Sequence, residues 1–290
     1  MRIGIAGTGR MGAAIAQRLS GLGHELTVWN RTPDKARALG LGVSAHPGEL
    51  AQRSETVISI LTDAAAVDAV YEKLLSGDVK GKLFIEMSTV RPDTQKKLAQ
   101  KVRQKGAAFV ECPVGGTVGP AKEGKLFGFA GGEAADVARA KPLLDQMCRR
   151  VEHVGPVGAG AAMKLAINLP LMVFWQAFSE ALSLCQPLGI DATRLMDIFA
   201  DTSGGPNMLK TRGKAIASVL SGNDPGPVTF NVDSMRKDMR TMIEEARALG
   251  RELPVVERAL ECFDSAARAG LGEADCAMLP ATWVKRSKAK

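Results

Sequence analysis

The sequence predicts an α/β protein in two parts: a doubly wound parallel sheet over residues 1–157, then an all-helical domain over residues 158–290. Three observations carry this. Short apolar runs alternate with helix-period segments up to about residue 155, a glycine-rich turn follows the first run, and strand patterns stop after about residue 157. A chain of 290 residues is long for one core and comfortable for two.

In chain order, RIGIAG, ELTVWN, TVISIL, KLFIEM and AAFVEC each read as a buried strand. Between and after them AAIAQRLSGL, PDTQKKLAQKVRQKG and AADVARAKPLLDQM are amphipathic at helical spacing. The C-terminal half reads as helices broken at SGGPN (203–207) and SGNDPGP (221–227). Its long apolar stretch, roughly 161–185, contains Lys164, Asn168, Gln176 and Glu180, which suits a buried helix better than a membrane span. Pro170 inside it removes one helical hydrogen bond, a cost of about 3 kcal/mol unless the helix kinks.

Composition narrows the function. Apolar residues make up 46% of the chain and charged ones 24%, as in an ordinary soluble globular protein. The net charge of +7 favours anionic ligands. Nucleic acid is not expected, because Lys and Arg are dispersed and only three Trp and one Tyr are available for stacking. The five cysteines show no CxxC or zinc spacing, and three scattered histidines make a metal site improbable. With RIGIAG directly after Met1 there is no room for a signal peptide, so a cytoplasmic location is expected.

The first strand ends in Gly7-Thr8-Gly9-Arg10-Met11-Gly12, a G-x-G-x-x-G that opens a helix and is followed by a second strand ending at Asn30. That context is the one a Rossmann dinucleotide site demands. Gly7 permits the tight turn, Gly9 lets backbone approach a pyrophosphate, and Gly12 lets helix pack on strand. At the end of the second strand stands Asn30-Arg31-Thr32 in place of the usual acid. With no carboxylate to repel a 2′-phosphate, and an arginine and a hydroxyl to bind one, NADP(H) is expected over NAD(H).

Hydride transfer to a carbonyl needs a proton source. A zinc Lewis acid lacks ligands, the only tyrosine, Tyr71, is followed four residues on by Leu75 rather than lysine, and no histidine has an evident acidic partner. Lys164 remains, with Asn168 at i+4 on the same helical face. An apolar setting would pull the lysine toward neutrality, which suits a general acid. The residues alone leave open whether Lys164 serves chemistry or lays its stem along the helix with its head in water.

Five segments resemble the β-hydroxyacid dehydrogenase family in the family's order. They are GTGRMGAAIAQRLSGLGHELTVWNRT, MST (87–89), CPVGGTVGPAKEGKLFGFAGG (112–132), GAGAAMKLAIN and RKDM (236–239). The match spans nearly the whole chain and looks most like the NADPH-using glyoxylate and succinic semialdehyde reductase branch. The resemblance implies Lys164 as general acid and Asn168 as the residue that orients substrate. It implies Thr89, Phe230 and Asp238 in the substrate and nicotinamide pocket, with Lys237 near the cofactor, and Leu61 and Thr62 in the cofactor set. Taken alone, Lys237 and Asp238 would read as a solvated helix face and Phe230 as core. One departure stands out: the family's P-V-S-G reads Pro113-Val114-Gly115-Gly116 here, so a carboxylate-binding hydroxyl is gone. Gly116 still offers a backbone N–H, and Thr117 a hydroxyl two positions on.

The expectation is an NADPH-dependent reductase of short aldehydes or oxo acids, running in reverse as a hydroxy-acid oxidation. An imine reductase on the same scaffold would not need the missing serine, but its relatives tend to replace the lysine. A non-catalytic NADP-binding protein would have no reason to keep Lys164 and Asn168 together. The decarboxylating 6-phosphogluconate dehydrogenases continue their lysine motif into His-Asn-Gly, where this chain reads K-L-A-I-N-L-P. Long apolar helix faces (LMVFWQAF, VVERALECF) point to a homodimer or homotetramer.

Overall fold

Alternation along each strand decides how the first half folds. Ile3 and Ile5 face one side of the sheet and Ala6 the other; Ile58 and Val57, Ile85 and Phe84, Val110 and Phe109 divide in the same way. Both faces are therefore apolar, and each must be covered by helices.

The computed structural model describes residues 1–202 and 205–286; Ser203 and Gly204 of the SGGPN break lie outside the described residues. The chain forms two compact units, Met1–Ala166 and a second from Ile167 onward. The first contains β1 (Arg2–Ala6), α1 (Arg10–Gly21), β2 (Glu25–Trp29), α2 (Pro33–Arg37), β3 (Gly42–Val43), α3 (Pro47–Arg53), β4 (Thr56–Ser59) and α4 (Ala64–Leu74). It continues through β5 (Leu83–Glu86), α5 (Pro92–Gln104), β6 (Ala108–Glu111), β7 (Val114–Gly115), α6 (Val118–Glu123), β8 (Leu126–Gly132), α7 (Ala134–Met147) and β9 (Cys148–Gly155). All five strands expected from the sequence form.

Strands β3-β2-β1-β4-β5-β6 lie side by side and parallel, the doubly wound order that places a ligand crevice where β1 and β4 send the chain in opposite directions. Helices α1 and α7 cover one face around Ile15, Leu19 and Leu144, and α3, α4 and α5 the other around Leu50, Tyr71 and Leu98. Beyond β6 the sheet departs from the expected pattern. Strand β8 runs antiparallel to β6 and β7 and parallel to β9, so the glycine-rich 112–132 segment is part of the sheet. Its glycines serve close packing: a Cβ at Gly128 would press on Cys112 Sγ and Cys148 Sγ, and one at Gly131 on the Glu111 carboxylate.

Helix α8 (Ala159–Cys185) starts in the first unit and runs into the second, passing through Pro170 without a break. It is long and apolar enough, by length and composition, to cross a membrane. In the second unit its Trp175, Phe178 and Leu182 are buried, and Phe178 meets Phe199 edge-on with ring centroids 5.1 Å apart. Helices α9 (Ala192–Ala200), α10 (Asn207–Leu220), α11 (Val232–Ala248), α12 (Pro254–Ala266) and α13 (Met278–Arg286) follow. Helix α10 packs on α9 and α13, and α11 on α12.

Candidate active site

The turn after β1 is shaped by what its glycines exclude. Gly7 has φ +100°, and a Cβ there would strike the Ile60 carbonyl on β4's exit. A Cβ at Gly12 would strike the Gly7 carbonyl, so only glycine lets α1 sit this close to β1. At Gly9 a Cβ would meet no protein atom within 4 Å: that face is open. Gly9 caps α1 without a side-chain acceptor, and the first turn holds no acidic residue. Among the described residues, neither the cap nor the first turn thus offers an anion to these N–H groups and the positive end of the helix dipole. Thr8 Oγ1 is buried with no hydrogen-bond partner among the described residues. Arg10 is exposed, and Met11 packs against the core. This is the donor set a dinucleotide pyrophosphate fits.

Asn30 ties this turn to the next. Its Oδ1 accepts the Thr8 N–H at 3.0 Å, and its Nδ2 donates to the Thr32 carbonyl at 3.0 Å. Arg31 and Thr32 are exposed beyond the end of β2, and Thr32 heads α2 without using its side chain as a cap. Asp34, in the first turn of α2, pairs with Arg37 at 2.7 Å.

Two buried carboxylates that the sequence reading did not single out stand side by side at the C-terminal edge of the sheet, Glu86 on β5 opposite Glu111 on β6. Glu86 accepts the Ser88 N–H at 3.1 Å, a short bond from Ser88 Oγ, and Gln95 Nε2 at 2.5 Å. Ser88 Oγ in turn accepts the Leu61 N–H at 2.8 Å, which locks the loop after β4 to the loop carrying Thr89. Thr89 is half-buried there, and Thr62 is exposed. Burial drives the Glu86 carboxyl above its ordinary range, against the hydrogen bonds from Ser88 and Gln95. Glu111 is pushed up to about 7 by burial, opposed by N–H donors at Gly158, Gly160 and Ala161, with Glu86 adding repulsion. The signal was present in LFIE and AFVE: a carboxylate closing an otherwise apolar strand.

On the glycine-rich segment, Gly115 lies on β7, half-buried, where a Cβ would make ordinary contacts of 3.7–3.8 Å with Phe127 and Phe129. Gly116 has φ +121°, a conformation that favours glycine. Thr117 heads α6, its hydroxyl not engaged in capping. Lys164 is half-buried, in the second turn of α8.

The second unit brings together residues seventy positions apart. Asn168 Nδ2 donates to Asp238 Oδ2 at 3.3 Å, both side chains buried, and Lys237 Nζ lies 2.5 Å from Asp238 Oδ1. Asn231 caps α11 through the Ser234 N–H at 3.0 Å. Just before it, Asp275 accepts from Thr229 N–H at 2.8 Å and Phe230 N–H at 3.4 Å and pairs with Arg212 at 3.3 Å. Burial would raise the Asp275 carboxyl, but the Ala277 and Thr229 donors and Arg212 hold it below its ordinary value. Asp275, also missed in the sequence, thus fixes the backbone at Phe230.

Residues 2–155 match the NAD-binding domain of 6-phosphogluconate dehydrogenase, and residues 158–282 the NAD-binding domain of NADP-dependent 3-hydroxyisobutyrate dehydrogenase. Glyoxylate/succinic semialdehyde reductase 1 of Arabidopsis thaliana is 35% identical over 285 residues, covering 95% of this chain and 96% of that protein. The chain belongs to the β-hydroxyacid dehydrogenase family. As a β-hydroxyacid dehydrogenase it is an oxidoreductase with an NAD(P)-binding domain of the Rossmann type. Among solved structures, 3-hydroxyisobutyrate dehydrogenase of Mycobacterium tuberculosis with L-serine superposes with TM-score 0.84 at 26% identity, covering 97% of this chain and 98% of that one. The reductive aminase of Aspergillus terreus with NADPH and ethyl levulinate, at TM-score 0.64 and 23% identity over 96% of this chain and 97% of that one, shares the fold.

Proposed function

We propose that this β-hydroxyacid dehydrogenase is an NADPH-dependent reductase of small aldehydes or oxo acids, with Lys164 as its general acid. The observation that carries the proposal is the buried Asn168 amide, fixed by Asp238, one helical turn beyond Lys164 on α8. A side-chain amide so held, on the same helix as a half-buried lysine, is what orientation of a carbonyl beside a proton donor requires.

The turn 7–12, with Asn30, Leu61 and Thr62, would hold the cofactor, and Arg31 and Thr32 its 2′-phosphate. When bound, the reduced cofactor supplies a hydride to the carbonyl carbon. Lys164 gives its ammonium proton to the carbonyl oxygen and is reprotonated from solvent. Asn168 orients the substrate, Asp238 holds Asn168 and Lys237, and Thr89 and Phe230 are assigned to substrate by the family resemblance. Gly116 N–H and the Thr117 hydroxyl take a substrate carboxylate. A hydroxyl missing at Gly115 removes about 1.5–3 kcal/mol of binding, one to two orders of magnitude in affinity. Preference for NADPH is supported by Asn30, whose side chain is satisfied inside the protein and carries no charge to repel a phosphate. A homodimer or homotetramer is supported by exposed apolar side chains on and just after α8, among them Ile167, Leu184 and Leu188.

The test is a screen of initial rates on glyoxylate, succinic semialdehyde and a cyclic imine, with NADPH beside NADH. Reduction of an aldehyde, faster with NADPH, is expected. A faster rate on the imine would move the chain to the imine reductases, and NADH as the better reductant would overturn the assignment of Arg31 and Thr32.

A further inference from the structure

We propose that Glu111 is a positioning residue: it seats the first turn of α8 and thereby sets where Lys164 stands. The role given to Lys164 rests on the function proposed above; the seating of the helix does not.

A helix leaves its first N–H groups without internal partners, and a side chain at the N-cap usually takes one or two of them. The first helical bond of α8 runs from Ala162 N–H to the Gly158 carbonyl, and Gly158 has no side chain to offer. Ahead of that bond, Ala159 N–H donates to the Pro156 carbonyl at 3.0 Å, and the Gly158 and Gly160 amides are met by a side chain from far upstream. Glu111 Oε1 accepts Gly158 N–H at 2.5 Å and Gly160 N–H at 3.0 Å, and the Ala161 N–H adds to the donors that favour its charged form. Glu111 is wholly buried, so water cannot substitute for it.

The surrounding sequence is arranged around that contact. Gly158 has φ +102°, and a Cβ there would press on the Lys96 stem of α5. A Cβ at Gly160 would strike the Phe129 carbonyl and lie 3.4 Å from the Glu111 side chain. Only glycines allow the helix start to approach β6 and β8 so closely. Lys164 follows Gly160 by four residues, about 6 Å along the axis, and each residue of register turns the helix by about 100°. A loosened first turn therefore displaces the lysine head by more than a proton transfer tolerates.

Residue-resolved amide exchange on the cofactor-free protein tests the seating without any substitution. Gly158 and Gly160 precede the first helical hydrogen bond, yet their amides should be protected at least about 100-fold, like those of β6. Exchange at the unprotected rate would overturn the proposal. The consequence for turnover is read from two variants. Glu111→Gln keeps an acceptor oxygen and should stay within about threefold of wild-type kcat, whereas Glu111→Met, of equal length without an acceptor, should lose about tenfold or more. In both, NADPH should bind as in the wild type, since its turn is on β1. Equal losses in the two variants, or wild-type turnover in Glu111→Met, would overturn the positioning role. Should Glu111→Met fail to fold, the wild-type exchange and the Glu111→Gln rate still decide. A wild-type protein that reduces no carbonyl would remove the proposed function while leaving the exchange result to judge the anchor.

Discussion

Helices α1 and α8 both begin in glycine, at Gly9 and Gly158, and they differ in what meets their first turn. Among the described residues, the cap of α1 offers its leading N–H groups no side-chain acceptor, no acid lies in the first turn, and the buried Thr8 hydroxyl stays unpartnered. At α8 a carboxylate from the neighbouring strand has already taken the corresponding amides. A glycine-led helix start is therefore a site for an external anion only where the fold supplies none of its own. One of the two starts is left open, as the proposed binding of a cofactor phosphate requires. The other is closed, and what it gains is a fixed helix.

The largest effect that separates them concerns pH. Glu111 titrates at about 7 in the folded protein against 4.5 ordinarily, because burial outweighs its N–H donors. The native state thus binds the extra proton between those values, and stability falls as pH rises through them, by about 3 kcal/mol in all. The contribution is fully present below pH 4.5 and lost above about 7. Glu111→Gln removes it, so chemical denaturation at pH 5 and pH 8 should show the variant gaining on the wild type as pH rises. A constant difference would show that Glu111 does not titrate in this window.

The open start yields a smaller, paired effect. Gly12→Ala drives a methyl into the Gly7 carbonyl and should cost about 1–3 kcal/mol of stability, seen as a lowered Tm. Gly9→Ala meets nothing in the protein and should leave Tm nearly unchanged, yet weaken NADPH about tenfold, or about 1.4 kcal/mol, because its methyl occupies the phosphate's approach. Unchanged NADPH affinity in Gly9→Ala would mean that this face does not meet the cofactor.

Smallest is the effect at the glycine turn. A Cβ at Gly115 makes only ordinary contacts with Phe127 and Phe129, so Gly115→Ser should fold normally. With its hydroxyl available to a carboxylate, KM for succinic semialdehyde should fall by up to about tenfold. No change would show that the substrate carboxylate does not bind at this turn.

How much of this was legible in the sequence follows from distance along the chain. The glycine turn after β1 was readable because its shape is backbone chemistry, written in six consecutive residues, Gly7 to Gly12. Strands β1, β2, β4, β5 and β6 were readable because burial on both faces makes each an unbroken apolar run. Strand β8, LFGFAGG, was not seen, since its glycines pack against Cys112 and Glu111 and so break the hydrophobic pattern that marks a strand. Lys164 and Asn168 drew attention as polar residues in an apolar helix. The partner of Asn168 lies seventy residues on, and the carboxylate beneath α8 lies 47 residues back. Neither pairing leaves a local pattern. AFVE marks Glu111 as a carboxylate closing an apolar strand, but what it binds, like the role of Asp275, became visible only when the fold brought backbone N–H groups to them.

The most direct measurement is NADPH consumption with succinic semialdehyde by wild type and Lys164→Ala, with NADPH binding followed by its fluorescence in the same samples. If Lys164 protonates the nascent alkoxide, the variant loses turnover by about 100-fold or more while binding NADPH as before. Near-normal turnover in a variant that still binds the cofactor would contradict the account.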